Sequence, residues 1–247
     1  MGIYLQNTKI SNIYIGNVKA KSVYLGNELI YSIQEDQGNE DVVKAGLIYY
    51  LDGRDFLVTS PSNTKWFPRV GVGTGAMSFT SSATKNGNCV KLSASGPGKD
   101  SSFTPFSNYR SDFTLEYYVK DVGSYARYGL IAGVGDANTL NGFYTMYGLG
   151  TDILTCGDNT SSSIKHSSYN NSMYVQFVCS NYDVTLYIDG VICKTFTLQL
   201  KNSSICPMLG GWEGFNTGPT IGCLRFYDRA LTEKELENNR NFDLSIY

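Results

Sequence analysis

The residues best suited to chemistry lie in a glycine-rich stretch near the C-terminal end, "GGWEGFNTGP". It combines aromatic rings, a carboxylate and an amide, contributed by Trp212, Glu213, Phe215 and Asn216. Aromatic rings pack on the C–H faces of sugars, while carboxylates and amides bond to sugar hydroxyls. A Trp between glycines suits a loop tip, where binding residues are common. The stretch therefore predicts a sugar-binding loop, with the alternative that Trp212 caps one end of the hydrophobic core.

A second stretch, "GDANTLNG", is rich in oxygen side chains and contains Asp136, Asn138 and Asn141. A calcium loop uses carboxylate and amide oxygens at comparable spacings. Asp and Asn beside Gly are, however, also the ordinary residues of tight turns. We therefore predict that the protein has no cofactor, with calcium as the alternative. Asp136 and Asn138 join the Trp212 stretch as candidate ligand-binding residues.

Catalytic residues are harder to find. A retaining glycosidase needs two carboxyl groups about 5 Å apart, and the strand-like segment "FTLEYYVK" supplies only Glu116, followed at alternating positions by Tyr118 and Lys120. The single histidine, His166, lies in a polar stretch and would have to serve any Ser-His-Asp triad or imidazole metal site. We therefore predict a non-enzymatic protein without catalytic or metal residues. A divergent glycoside hydrolase that uses Glu116 is the alternative.

Composition narrows the class of protein. The chain has 20 Lys and Arg against 22 Asp and Glu, a formal charge of -2, which predicts neither nucleic acid nor an anionic membrane as a partner. No apolar run is long enough to span a bilayer, and the first residues lack the features of a signal peptide. The 6 cysteines show no metal or redox spacing. We expect buried thiols in a protein that is synthesised in a reducing cytoplasm.

The chain begins with a ten-residue phrase written three times, "IYLQNTKISN IYIGNVKAKS VYLGNELIYS". Each copy reads as strand, two-residue turn and strand, with the turns at Gln6-Asn7, Gly16-Asn17 and Gly26-Asn27. Gly and Asn tolerate the positive φ of such turns, and a two-residue turn fixes the register. Tyr4 then faces Lys9, Tyr14 faces Lys19, and Tyr24 occupies the same face in the third copy.

Such a repeat is too small to fold alone, because chains below roughly 40 residues usually need disulfides, metals or a partner. We therefore predict that residues 1–33 form an anchoring and oligomerisation segment, with Tyr4, Tyr14 and Tyr24 in assembly contacts. A trimer is the expected homo-oligomer, and an edge sheet on the main domain is the alternative. The acidic, polar residues 34–43 are predicted to form a linker.

The remaining residues, 44–247, show the pattern of many short strands. Apolar residues alternate in "FTLEYYV" and "YVQFVCS", and "YDVTLYIDGVICKTF" reads as a hairpin around Asp189-Gly190. One helix is predicted from Glu233 to Asn239, because Thr232 and Glu235 form a capping box, and Leu231 and Leu236 form a hydrophobic staple. These features predict an all-β antiparallel sandwich with one short C-terminal helix.

The segments "FTLEYYVK", "VQFVCSNYDVTLYIDGVICKTF" and "IGCLRFYDRALTEKELENN" follow one another in the order of the landmarks of a known superfamily. Over residues 45–242 the chain resembles the concanavalin A-like, laminin-G-like jelly rolls. The resemblance implies two curved antiparallel sheets packed face to face. That superfamily contains carbohydrate-binding modules, lectins, glucanases and adhesion domains, so the fold alone does not decide the function.

Residues 3–32 resemble the N-terminal segments of bacteriophage virion proteins, in which YLGN-type repeats precede a distal module. Together the two resemblances predict a non-enzymatic bacteriophage virion protein, such as a tail fibre, baseplate or capsid appendage, located at the virion surface. Its lectin-like jelly roll would bind glycans or a host surface, and residues 1–33 would bind other virion proteins. The alternative is a purely structural capsid decoration or tail component.

Overall fold

The chain divides into two compact units, residues 1–40 and residues 41–247. We call them the repeat unit and the sandwich unit. The computed structural model describes residues 4–5, 8–9, 14–15, 18–19, 22–25, 28–32, 42–56, 65–71, 75–79, 83–92, 98–105, 110–120, 129–136, 141–147, 153–157, 160–164, 172–197, 206–210 and 219–247. Over these residues, no helix has the length and apolar character needed to cross a membrane.

The described residues of the repeat unit form three two-stranded antiparallel sheets, which we call its hairpins. Their strands are β1 (Tyr4–Leu5), β2 (Thr8–Lys9), β3 (Tyr14–Ile15), β4 (Val18–Lys19), β5 (Ser22–Leu25) and β6 (Glu28–Ser32). Tyr4 pairs with Lys9 and Tyr14 with Lys19, which confirms the predicted register of the first two copies. The third hairpin is longer and contains a register shift next to Tyr24.

Among its described residues, the sandwich unit contains seventeen strands, one α-helix and a short 3-10 helix at Gly53–Asp55. The strands are β7 (Leu47–Asp52), β8 (Lys65–Trp66), β9 (Val70–Gly71), β10 (Met77–Phe79), β11 (Thr84–Asn86), β12 (Cys89–Lys91), β13 (Gly98–Lys99), β14 (Phe113–Lys120), β15 (Gly129–Asp136), β16 (Asn141–Tyr147), β17 (Ile153–Gly157), β18 (Thr160–Ile164), β19 (Ser172–Ser180), β20 (Asp183–Ile188), β21 (Val191–Thr197), β22 (Cys206–Leu209) and β23 (Thr220–Tyr227). The helix is α1 (Glu233–Ile246).

Two antiparallel sheets build this unit. The eight-stranded sheet has the order β18-β17-β16-β15-β22-β13-β10-β8. The nine-stranded sheet has the order β11-β12-β23-β14-β19-β20-β21, and β7 pairs with both β23 and β9. The centre of the nine-stranded sheet is therefore formed by β23, β14 and β19, which are distant in sequence. Of these, β14 and β19 were predicted as strands from their alternation.

The hydrophobic core lies between the two sheets. The side chains of β14 that alternate as predicted all belong to it: Phe113, Leu115, Tyr117 and Val119. From the opposite sheet Phe143 of β16 meets Phe113, with the ring centroids 5.0 Å apart. This packing confirms the predicted all-β sandwich. Five of the six cysteines have described side chains, and all five are thiols, as expected: Cys89, Cys179, Cys193, Cys206 and Cys223.

The helix α1 covers the outer face of the nine-stranded sheet, and its start agrees with the prediction. The backbone N–H of Thr232 donates to the Glu235 carboxylate at 2.9 Å, and the Thr232 hydroxyl caps the Glu235 N–H in return. Leu231 and Leu236 pack in one buried cluster, as the predicted staple requires. The capping box and the staple therefore fix where the helix begins.

The predicted helix end at Asn239 was wrong, because α1 continues to Ile246. The residues after Asn239 include weak helix formers, which in a sequence indicate an end. In the structure Asn239 and Asp243 are fully buried, and Phe242 belongs to a second apolar cluster on the outer face of the sheet. These tertiary contacts outweigh the intrinsic preferences of Asn and Asp and extend the helix.

Candidate functional site

A groove of about 290 Å³ lies between α1 and the strands β19 to β21. On the sheet side, Gln176 of β19 is the cross-strand partner of Tyr187 of β20, and Tyr187 faces Ile192 of β21. All three line the groove, together with Gly190 in the turn between β20 and β21. Gln176 is buried, Tyr187 is half-buried and Ile192 is exposed, so the lining passes from the floor of the groove to its rim.

The helix forms the other wall. Residues three and four positions apart on a helix share one face, and this spacing relates the four lining residues of α1: Glu233, Leu236, Glu237 and Arg240. Leu236 is buried, whereas both glutamates are exposed. The groove therefore has an apolar anchor from the helix at its base and two carboxylates at its rim.

The turn between β20 and β21 sets the end of the groove. Asp189 and Gly190 have φ values of 52° and 82°, which is the conformation that a two-residue Asp-Gly hairpin turn demands. The Arg240 guanidinium lies directly on this turn, and its Nη1 donates to the Asp189 carbonyl at 2.9 Å. A Cβ at position 190 would lie 1.3 Å from Arg240 Nη1, so a larger residue there would require the arginine side chain to move.

The floor of the groove is connected to a buried polar network beneath α1. Gln176 Nε2 donates to Glu116 Oε1 at 2.7 Å and to the Leu236 carbonyl at 3.2 Å. Asn239 Nδ2 donates to Glu116 Oε2 at 2.8 Å and to the Tyr227 hydroxyl at 3.0 Å. Glu116 thus links the sheet to the helix through two amide side chains.

Arg225 is the cation of this network. Its Nε donates to Glu116 Oε2 at 3.2 Å, its Nη1 donates to Asp243 Oδ1 at 3.0 Å, and its Nη2 donates to the Tyr174 hydroxyl at 2.6 Å. Arg225 Nη2 also pairs with Asp243 Oδ2. One buried guanidinium therefore holds a carboxylate of the sheet and a carboxylate of the helix at once.

Burial raises the pKa of Glu116, against the lowering effect of Arg225. The carboxyl group is fully buried and its two oxygens accept from three side chains. A glycosidase nucleophile or acid must touch the scissile bond, and Glu116 has no path to one. The carboxylate that the hydrolase alternative required is thus part of the scaffold.

The groove offers the chemistry of a small-molecule binding site. Burial and the negative charge of Glu233 raise the pKa of Tyr187, so the phenol stays protonated. Tyr187 provides a ring face, the glutamates provide acceptors, and Arg240 provides donors. An aromatic face with a few convergent polar groups is the usual composition of a carbohydrate site.

Most of the site residues predicted from the sequence lie outside the described residues. These are Trp212, Glu213, Phe215, Asn216 and Asn138. Asp136 ends β15 and pairs with Asn141 across a hairpin, but its side chain is outside the description. Tyr4, Tyr14 and Tyr24 occupy the expected strand positions. His166 lies outside the described residues as well.

Residues 137–140 of the loop predicted to bind calcium lie outside the described residues. Where side chains are described, no group of three or more His, Cys, Asp or Glu is arranged to hold a metal ion. The calcium alternative at Asp136 and Asn138 stays a prediction.

The groove residues were missed in the sequence for an identifiable reason. Gln176 and Tyr187 occupy the positions that alternate with core residues in "YVQFVCS" and "YDVTLYI", and such positions usually face solvent. The spacing of Glu233, Glu237 and Arg240 reads as an ordinary charged helix face. The sequence did contain a signal that the helix covers the sheet. A helix after the last strand must bury its apolar side, and Leu236 and Phe242 give it one.

Comparison with known proteins gives a likeness of fold. No protein-family model matches the chain, and no curated protein matches it in sequence. Among solved structures, Trypanosoma rangeli sialidase in complex with sialic acid is similar, with a TM-score of 0.62 and 17% identity over 84% of this chain. A mutant of the same sialidase displaying trans-sialidase activity gives a TM-score of 0.60 and 14% identity over 84% of this chain.

A toxin fragment shows the same likeness. The binding domain of botulinum neurotoxin DC in complex with rat synaptotagmin II has a TM-score of 0.58 and 12% identity over 82% of this chain. The chain spans 34% of each sialidase chain and 52% of the toxin domain. At these identities the likeness shows the fold alone, a β-sandwich consistent with the jelly roll expected from the sequence.

Proposed function

We propose that this chain is a non-enzymatic virion protein of a bacteriophage. In this proposal the sandwich unit binds glycans on a host surface or in the environment, and the repeat unit attaches the protein to other virion proteins at the particle surface. Neither nucleic acid nor membrane insertion has a part in it.

The groove between α1 and β19 to β21 is the observation that carries glycan binding. It has a volume of about 290 Å³ and presents Tyr187 with polar side chains around it. Sugar rings present C–H faces to aromatic rings and hydroxyls to carboxylates. The fold likeness supports a binding role in general, because similar sandwiches occur in a sialidase in complex with sialic acid and in a toxin binding domain in complex with synaptotagmin II.

Absence of hydrolysis is part of the proposal. The carboxylate named for the hydrolase alternative, Glu116, is sealed beneath the helix by Arg225 and Asn239. Glu233 and Glu237 of the groove are on adjacent turns of one helix, rather than on opposite sides of a bound sugar. Two carboxyl groups that flank the scissile bond are what glycoside hydrolysis requires.

The repeat unit supports the assembly half of the proposal. Its hairpins are two-stranded, and an isolated two-stranded hairpin is marginally stable at best in water. The Tyr4 and Lys9 positions and the Tyr14 and Lys19 positions recur in the same register. Such regular, weak units gain stability when they pack against copies of themselves or against another protein, and we propose a trimer.

A purely structural role is the second candidate, and one observation favours it. Val191 and Ile192 of β21 are 66% and 57% exposed, next to the groove. In the described sheet β21 is a terminal strand, and exposed apolar edges are typical of surfaces that meet another protein. If the groove were covered by a neighbouring protein in the particle, the domain would stabilise an interface rather than bind glycans.

A glycan array and a host-cell binding assay on the full chain test the proposal. We expect specific signals that disappear in Tyr187→Ala and persist in Phe67→Ala, an exposed aromatic residue outside the groove. Thermal melts must show that both variants fold. Absence of binding to any glycan or cell would refute the recognition role and leave the structural one.

A further inference from the structure

Gln176 lines the groove, and its side-chain oxygen has no hydrogen-bond donor among the residues that the structure describes. Gln176 is 1% exposed, and both donors of its Nε2 are used, on Glu116 and on the Leu236 carbonyl. No donor among the described residues reaches its Oε1. A buried carbonyl oxygen without a hydrogen bond is costly. A ligand N–H or O–H that donates to this oxygen would therefore form a favourable hydrogen bond.

The rim of the groove adds further acceptors. Glu233 and Glu237 are four residues apart on the same face of α1, and both are exposed. Like charges at this spacing repel each other, and a cation between them removes the repulsion. The positive end of the helix dipole favours acidic residues in the first turn, which explains why Glu233 is there. It does not explain Glu237, which lies in the second turn.

The remaining charged group is Arg240. Its Nη1 donates to the Asp189 carbonyl, which holds the guanidinium against the turn at the end of the groove. The lining therefore carries two negative charges and one positive charge, and its net charge is negative. Tyr187 lines the same groove, and the face of a tyrosine ring attracts cations.

From these contacts we propose that the groove binds saccharides carrying a free ammonium group, that is, amino sugars without an acetyl group. The ammonium lies between Glu233 and Glu237, the sugar ring packs on Tyr187, and a hydroxyl or N–H donates to Gln176 Oε1. An N-acetyl group removes the positive charge that the carboxylates attract. An anionic glycan meets a groove of the same sign.

This inference rests on the proposed glycan binding and names the class of ligand. The test is isothermal titration of the full chain with a glucosamine oligosaccharide, its fully N-acetylated counterpart, and a glucose oligosaccharide of the same length and linkage. We expect the glucosamine oligosaccharide to bind about fivefold more tightly than either of the others at weakly acidic pH and low salt. This preference should decrease as salt is added.

The matched variants are Glu237→Gln and Asp228→Asn, which remove one negative charge each, inside the groove and outside it. The preference for the glucosamine oligosaccharide should fall at least about twofold in Glu237→Gln and stay unchanged in Asp228→Asn. Both residues are exposed, so both variants should fold. An unchanged preference in Glu237→Gln would overturn the placement of the ammonium between the glutamates.

The failures of the two proposals can be told apart. Equal binding of all three oligosaccharides, lost in Tyr187→Ala, would overturn the ammonium preference and leave glycan binding in place. Absence of binding to any oligosaccharide, here and on the array, would refute both. An oligolysine peptide that binds as tightly as the glucosamine oligosaccharide would overturn the role of the sugar, because the groove would then recognise ammonium groups alone.

Discussion

Glu116 and Arg225 are cross-strand partners on β14 and β23, and Glu116 Oε2 lies 3.2 Å from Arg225 Nε in complete burial. Arg225 also pairs with Asp243 of α1. The helix that forms one wall of the groove is therefore attached to the sheet through a charged network as well as through apolar side chains. The shape of the groove depends on residues that no ligand would touch.

We predict that Glu116→Gln lowers the free energy of unfolding by about 3 kcal/mol, because the buried donors of Gln176, Arg225 and Asn239 lose the carboxylate that accepts from them. The new amide would also direct N–H groups towards donors of Asn239 or Arg225. Urea denaturation measures the change. Glu237→Gln, the same substitution at an exposed position, should change the value by less than about 0.5 kcal/mol. Similar losses for both variants would contradict the structural role of Glu116.

The start of the helix should depend on pH through Glu235. Hydrogen bonds from Arg229, assisted by the Thr232 cap and opposed by burial, lower the pKa of Glu235 from 4.5 to about 2. A lowered pKa in the folded state stabilises the protein above the unfolded pKa, and this contribution is lost as pH falls from 4.5 to about 2.

We therefore predict that Glu235→Gln is less stable than the wild type at neutral pH and that the difference shrinks as pH falls through this window. Denaturant titrations at a series of pH values measure it. If the difference between the two proteins were the same at both ends of the window, the assigned bonds between Arg229 and Glu235 would be wrong.

Local rules predicted much of the fold from the sequence. The Asp189-Gly190 hairpin and the capping box at Thr232 depend on neighbouring residues, and the structure confirms both. Alternation likewise identified the core face of β14. The prediction of where α1 ends was wrong, because Asn239 and Asp243 are polar residues that stabilise the helix only through contacts with distant strands.

The groove could not be predicted by the same rules. Its two walls come from Gln176 and Tyr187 on one side and from the face of α1 on the other. Their proximity is determined by how the helix docks, and the docking depends on Glu116 and Arg225. In sequence Glu116 reads as a surface carboxylate on an alternating strand, and its burial follows only from the presence of the helix above it.

Glycine at position 190 should matter mainly because of Arg240. We predict that Gly190→Ala costs more free energy of unfolding than Gly87→Ala, by about 0.5–1 kcal/mol. Both glycines have positive φ, 82° and 60°, but a Cβ at position 87 would meet nothing within 4 Å. The two costs should become equal in an Arg240→Ala background, as measured by urea denaturation. A persisting excess there would show that the strain at Gly190 has another origin.

The repeat unit should determine the oligomeric state. We predict that the full chain sediments as a homo-oligomer, with a trimer expected, and that a chain lacking residues 1–32 sediments as a monomer whose circular dichroism still shows a folded β-sheet protein. The physical reason is that isolated two-stranded hairpins need a partner to persist. Sedimentation equilibrium gives the masses against the 27.2 kDa of one chain. An oligomer that survives the truncation would place assembly in the sandwich unit instead.

The measurement that bears most directly on the account is the affinity of the full chain for the glycan with the strongest array signal, compared between wild type, Tyr187→Ala and Phe67→Ala. Loss of the aromatic face in Tyr187→Ala should weaken binding about tenfold or more. Phe67→Ala should leave the affinity unchanged, because Phe67 is exposed and lies outside the groove. If Tyr187→Ala folds and binds as tightly as the wild type, the groove between α1 and the sheet is not the binding site, and the central claim is wrong.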